Sequence, residues 1–308
     1  MKMSKIGAWV VEARLRTLPL AAAAIVLGGA LAFRHGVFSV SVFVLALLTA
    51  VLLQILSNFA NDYGDAEKGL DDETRLGPQR AMSSGEITPA DMRKALVITA
   101  CLTFLTGAAL VFTAFPGDFV RIAAFGVLGV ASMLAAVWYT MGKHPYGYAG
   151  LGDISSFFFF GIVGVAGSYY LFSGELTGEA LFLGCSDGLL VAAVLNVNNM
   201  RDRVADERKG KKSLAVRIGD LGSRIYHGVL ICGAFILFSL YVFIFCRSYV
   251  PFVFVLGFSL LFYSAWNAAV IGASRRKIDP ELKRTSVGAL LVSILLAAGM
   301  AAEKLWFV

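Results

Sequence analysis

The sequence predicts an all-α polytopic membrane protein with nine transmembrane helices and two Asp-rich loops on the cytosolic side. Composition is the first observation behind that expectation: 308 residues are 58% hydrophobic and only 16% charged, with a mean hydropathy of +0.74, too apolar for an ordinary soluble domain. The second is length, because a membrane-crossing helix needs about 20 mainly apolar residues, and nine runs meet that need. The third is charge. With the N-terminus in the cytoplasm, all Lys and Arg except Arg34, Arg121, Arg247 and Lys304 fall on the cytosolic side, as the positive-inside rule requires.

The basic segment Met1–Arg16 leads into a first span over residues 17–33, expected to be retained rather than cleaved as a secretory signal. A second span over 38–60 runs into the first long cytosolic loop, residues 62–92. There Gly64 and Gly69 are expected to loosen the helix, Gly77-Pro78 to turn the chain, and Thr88 to cap a helix opened by Pro89 with Asp91 in its first turn. Spans over 95–115 and 121–140 follow, and Lys143 is the lone cation of the loop after them. Spans over 154–173 and 179–200 lead to the second long loop, residues 202–224, where a helix carrying Asp202 is expected to continue towards Gly210. Spans over 225–246, 250–272 and 286–303 complete the set. The two long loops stand four helices apart, which suggests a duplicated four-helix unit plus a ninth helix. The spans leave little room for a separate soluble unit, so residues 1–308 are expected to form one domain.

Several classes are excluded. The net charge of +6 implies a basic cytosolic face suited to anionic lipid or a phosphorylated substrate. No basic run is interleaved with aromatics, so no nucleic acid is expected as a partner. Cys101, Cys185, Cys232 and Cys246 stand singly, and His35, His144 and His227 are scattered. Neither a disulfide framework nor a zinc spacing is present, so any metal relies on oxygen ligands.

The chemistry gathers in two patches. Asn58, Asn61, Asp62 and Asp65 fall at i, i+3, i+4 and i+7, and Asn198, Arg201, Asp202 and Asp206 at i, i+3, i+4 and i+8, so each set lines one helical face. Taken singly, an Asn or Asp at a helix end is an ordinary cap. Two matched sets on one side of the membrane, placed where Lys and Arg are the rule, call for more than capping. Carboxylate and amide oxygens suit Mg²⁺, which takes one or two carboxylates and completes its shell with phosphate oxygens and water. Facing acid pairs repel unless cations lie between them, and a diphosphate bridged by two divalent ions balances that charge. Arg75, Arg80, Lys143, Arg201, Lys211 and Lys212 are candidates for taking up diphosphate charge, although cytosolic cations are expected from topology alone. Tyr139 precedes Lys143 by four residues, on the same expected helix face. Phe157–Phe160, Tyr169, Tyr170 and the Gly161, Gly164, Gly167 series would line an apolar groove, or else serve lipid contact and helix packing. Asp187 is the one acid well inside a span.

These motifs resemble the UbiA superfamily of intramembrane prenyltransferases, whose signatures are an Asn-Asp-x-x-Asp motif after helix two and an Asp-x-x-x-Asp motif after helix six. Here they read Asn61-Asp62-Tyr63-Gly64-Asp65, with Asp71 beyond, and Asp202-Arg203-Val204-Ala205-Asp206. Arg75–Arg80, Asn198–Asp202, Gly210–Arg217, Arg16–Pro19 and Tyr146–Asp153 extend the likeness to the members that prenylate 1,4-dihydroxy-2-naphthoate. Asp71 stands further from Asp65 than the commonest spacing, and Asp153 occupies a position where Glu is expected.

The resemblance implies a UbiA-type bundle in the cell inner membrane with cytoplasmic active-site loops. It implies two Mg²⁺ ions on Asn61, Asp65, Asp202 and Asp206, with Asp62 and Asp71 assisting, and Lys143 on the diphosphate. It also implies transfer of a polyprenyl group from polyprenyl diphosphate to 1,4-dihydroxy-2-naphthoate with decarboxylation, giving demethylmenaquinone, in contact with membrane lipid. Asn58, Asn198 and Tyr139 are expected near the substrate. Prenylation of 4-hydroxybenzoate or another aromatic is the rival within the class, and cation-coupled transport the rival outside it. A transporter normally places its acids near the midplane, whereas these gather at one surface.

Overall fold

The computed structural model describes residues 4–69, 76, 80–272 and 276–306. Among them, nine helices are long and apolar enough to cross a membrane. A short helix α1 (Lys5–Glu12) precedes these spans. The spans are α2 (Leu18–His35), α3 (Val40–Glu67), α4 (Pro89–Ala114), α5 (Phe119–Trp138), α6 (Gly152–Ser173), α7 (Gly178–Arg208), α8 (Leu214–Phe245), α9 (Val250–Ile271) and α10 (Asp279–Trp306). Every span expected from hydropathy is present, and no strand occurs among the described residues.

Local chemistry explains where the spans start. The side-chain oxygens of Ser39, Thr88, Asp118 and Thr177 accept from the backbone N–H groups of Val42, Asp91, Arg121 and Ala180, capping α3, α4, α5 and α7. Pro89 occupies the first turn of α4, as its fixed φ favours. Some ends differ from expectation. Helix α3 does not loosen at Gly64 but continues to Glu67, whereas α7 runs to Arg208 before Gly210 turns with φ 77°, as expected. Both acidic patches therefore ride on intact helix extensions beyond the apolar runs. Helix α8 begins at Leu214 rather than 225, bent at Gly219. Helix α5 stops at Trp138, which removes Lys143 from the helix face it was expected to share with Tyr139.

Packing then brings the patches together. A Cβ on Gly64 would lie 2.8 Å from the Thr140 carbonyl oxygen, so glycine lets α3 press against the turn that ends α5. In α6, residues Phe157–Gly167 form a π-helical stretch, a rare geometry that recurs at functional sites. Its Gly161 abuts α7 so closely that a Cβ would lie 2.5 Å from the Gly184 carbonyl oxygen, a small-residue contact typical of membrane helices. Helices α2, α6, α7, α8, α9 and α10 all contribute to the main core, which includes Leu27, Val165, Phe238, Tyr241, Phe254 and Phe258. Apolar side chains such as Val97, Val127, Ile244 and Trp266 are exposed on the outer surface, as a lipid-facing wall requires.

Candidate active site

A chamber of about 530 Å³ opens where the extensions of α3 and α7 meet. Asn58, Asn61 and Asp65 line it from α3, and Asn198, Asn199, Asp202 and Asp206 from α7. Arg14, Arg80, Tyr139, Thr140 and Lys211 complete the polar mouth. Below the mouth the wall turns apolar, through Phe104, Val111 and Phe112 of α4, Phe125 and Gly129 of α5, and Phe159 and Phe160 of α6. The chamber is thus a polar mouth joined to an apolar arm that runs along α5 and the second half of α4.

The first patch divides by depth. Asp62 is 0% exposed, is not part of the chamber wall, and forms ion pairs with both Arg14 and Arg80. Asp65 faces the chamber, and its Oδ1 accepts from the Tyr148 hydroxyl at 2.6 Å, while its Oδ2 lies 3.9 Å from Arg80 Nη2. Burial and the Asp65 charge push the Tyr148 phenol above its ordinary value, which keeps it a donor. Burial, with Arg14 alongside, pulls the Arg80 guanidinium well below its usual range. Two cations held together in this way are stabilised by an arriving anion. Asn61 accepts from the Thr140 hydroxyl at 3.2 Å. Asn58 spends its amide on structure, donating to the Ala13 carbonyl at 2.9 Å and accepting from Gln54 at 3.1 Å.

The second patch is held by a charge relay. Arg201, 2% exposed, clasps Asp202 through Nε at 2.8 Å and Nη2 at 2.7 Å. It also reaches Asn198 at 2.9 Å and Asp279 of α10 at 2.5 Å. Asp279 in turn accepts from Arg16 at 3.0 and 3.1 Å. Asp206 Oδ2 is buried, with the Lys211 ammonium 3.5 Å away.

Several expected diphosphate contacts stand elsewhere. Arg201 is committed to Asp202 and Asp279 and does not line the chamber. Lys143 and Lys212 are exposed and also lie off its wall. Lys212 contributes its backbone, donating to the Tyr148 carbonyl at 3.0 Å, and the neighbouring Lys211 faces the chamber instead. Asp71 and Arg75 lie outside the described residues. Asp187 is fully buried in α7 and apart from the chamber.

Sequence reasoning missed Arg14, Asp279 and Tyr148. Arg14 was counted only as a topological charge, yet it carries the sole positive φ among described non-glycine residues, 50°, a backbone outlier that turns the chain between α1 and α2. An acid directly before the last span was the available signal for Asp279.

The donor set fits Mg²⁺. Asn61, Asp65, Asp202 and Asp206 present hard oxygens to one cavity from two walls. Among the described residues no three His, Cys, Asp or Glu side chains form a ready-made cage. Mg²⁺ takes few protein ligands and completes its shell from substrate and water.

Comparison with known proteins follows the same lines. The model of the UbiA prenyltransferase family matches residues 22–287. The 1,4-dihydroxy-2-naphthoate octaprenyltransferase of Escherichia coli (strain K12) is 44% identical over 306 residues, covering 97% of this chain and 96% of that protein. The enzyme of the same name from Haemophilus influenzae is 40% identical over 300 residues, with 96% of each covered. Among solved structures, a UbiA homolog from Aeropyrum pernix K1 superposes with a TM-score of 0.67 at 18% identity, covering 92% of this chain and 97% of that one. A UbiA homolog from Archaeoglobus fulgidus bound to GPP and Mg²⁺ gives 0.62 at 18% identity, covering 94% and 98%. At that identity the likeness is one of fold.

Proposed function

The chain belongs to the UbiA prenyltransferase family, and from that premise we propose that it transfers a polyprenyl group from polyprenyl diphosphate to 1,4-dihydroxy-2-naphthoate, with release of diphosphate and loss of the carboxylate as CO₂, giving the quinol form of demethylmenaquinone. The observation that carries this reading is the single chamber in which two oxygen-rich helix ends meet above an apolar arm. The named activity of the E. coli and H. influenzae relatives supports the choice of acceptor.

In this reading the prenyl tail lies in the apolar arm along α4, α5 and α6, and the diphosphate sits in the mouth. Asn61 and Asp65 on one wall and Asp202 and Asp206 on the other would hold two Mg²⁺ ions, which when bound supply positive charge for the leaving diphosphate. Arg14, Arg80 and Lys211 take up further diphosphate charge, and Asp62 fixes the two arginines from beneath. Tyr148 orients the Asp65 carboxylate, and Arg201 orients that of Asp202. The allylic C–O bond breaks with its electron pair leaving on the diphosphate, and the electron-rich naphthalene ring attacks the allylic carbon. Exclusion of water by the apolar wall protects that carbon from hydrolysis. Aromatic faces at Phe159 and Phe160 stand near the arm and stabilise positive charge. In this reading the mouth lies on the cytoplasmic side of the inner membrane, an orientation that the excess of Lys and Arg around it supports, with bilayer lipid around the exposed apolar helices. The whole chain acts as one unit.

Purified protein supplied with polyprenyl diphosphate, Mg²⁺ and either 1,4-dihydroxy-2-naphthoate or 4-hydroxybenzoate tests this directly. The expected result is a prenylated, decarboxylated naphthalene product by mass spectrometry and loss of turnover on chelation. Turnover of 4-hydroxybenzoate alone would overturn the acceptor assignment.

A further inference from the structure

The segment before α2 lies outside the family match, which begins at residue 22, yet it touches the mouth of the chamber. Its last helical residue, Glu12, is 0% exposed. Glu12 Oε1 accepts from two consecutive backbone N–H groups of the first long loop, Ala81 at 2.5 Å and Met82 at 3.1 Å. Ala81 is itself fully buried, in a cluster with Ala8, Phe59, Ile87 and Met92. The loop then folds back on the same residue, Glu86 and Ile87 donating to the Ala81 carbonyl at 2.9 and 3.0 Å.

A buried carboxylate is costly unless hydrogen-bonded, and bonds from backbone N–H to an ionised acceptor are the strong kind. The Ala81 nitrogen is one end of the Arg80–Ala81 peptide bond, so the carboxylate grips the backbone next to the guanidinium that faces Asp62 and Asp65. We propose that Glu12 is a positioning residue for the transfer reaction, clamping residues 81–82 to the end of α1 and so holding Arg80 in the mouth of the chamber. The inference rests on the reading of Arg80 as a diphosphate contact.

The test uses the full chain in a membrane mimic. Glu12→Ala is expected to raise KM for prenyl diphosphate about tenfold, leaving KM for the aromatic acceptor unchanged. Glu12→Gln keeps a carbonyl acceptor and is expected to restore KM to within about threefold of wild type. Hydrogen exchange at the amides of residues 81 and 82 is expected to accelerate in Glu12→Ala and not in Glu12→Gln. In an Arg80→Ala background, Glu12→Ala is expected to add nothing. If Glu12→Ala does not fold, Glu12→Asp, which retracts the carboxylate by one methylene, carries the same comparison. Should Arg80→Ala raise KM while the Glu12 variants leave it alone, or should the two effects simply add, the positioning role is overturned and the Arg80 reading stands. Should Arg80→Ala leave KM unchanged, that reading fails and the proposal with it.

Discussion

Two polar clusters occupy opposite ends of the bundle, built from the same residue types. At the end away from the chamber mouth, Glu179 accepts from the Tyr241 hydroxyl at 2.9 Å, meets His35 at 3.1 Å and pairs with Arg34. Arg34 also reaches Glu303, whose Oε2 takes the Ser248 backbone N–H and hydroxyl at 2.8 and 2.9 Å. These contacts tie α2, α7, α8 and α10 together, and none of the charged groups lines the chamber. At the mouth, Asp65, Asp202 and Asp206 stand on two walls with space between them. Charges that answer one another through packing hold helices in place. Charges that face a common space respond to a ligand.

The comparison breaks most clearly at the mouth. Asp65→Asn or Asp202→Asn is expected to lower turnover about a thousandfold or more; the melting temperature should change little in Asp65→Asn and fall in Asp202→Asn, which weakens the bidentate contact with the buried Arg201. Wild-type activity in either variant would erase the distinction between the two ends. The converse applies to Glu179→Ala, which leaves Arg34 with Glu303 as its one acid and takes the acceptor from the buried Tyr241 hydroxyl, and is expected to cost about 2 kcal/mol of stability. KM values of the folded fraction should stay at wild type, and thermal melts beside kinetics would show whether they do.

A smaller effect is expected at Tyr148→Phe, which deletes the hydrogen bond to Asp65. Outer-sphere losses of this kind weaken metal dependence about tenfold, so the Mg²⁺ concentration for half-maximal rate should rise by that order while KM for the acceptor holds. The mildest expected change lies in the apolar arm. Gly129 lines the arm and nothing lies within 4 Å of a Cβ added there, so Gly129→Phe adds a bulky side chain beside the donor tail with no clash at its Cβ. It is expected to lower kcat/KM for long donors about fivefold while sparing short ones; competition between donors of different length measures the ratio.

Asp62 and Asp65 show how far the sequence reading reached. Both sit on one helical face with matched chemistry, and spacing alone treats them alike. Packing separates them, because Arg14 and Arg80 close over Asp62 while Asp65 is left on the wall. Lys211 and Lys212 present the same difficulty in a loop, where the turn after Gly210 points adjacent side chains apart. Lys143 was assigned to a helix face that ends at Trp138 before reaching it. The extension of α3 was underestimated because hydropathy falls where lipid contact ends, whereas the helical hydrogen-bond ladder continues into polar sequence. The eight-residue α1 is shorter than any hydropathy window, and so Glu12 and Arg14 went unseen.

By itself the sequence determined that this chain carries nine runs long and apolar enough to cross a membrane, and two oxygen-rich patches at the ends of two of them. Both follow from one-dimensional quantities, the run length of apolar residues and the period of a helix. Only the tertiary structure decided which acids face the chamber, which cations reach it and which merely support it. Those outcomes depend on helix rotation, on close approach at Gly64 and Gly161, and on contacts between residues far apart in the chain, such as Glu12 with Ala81 and Arg201 with Asp279.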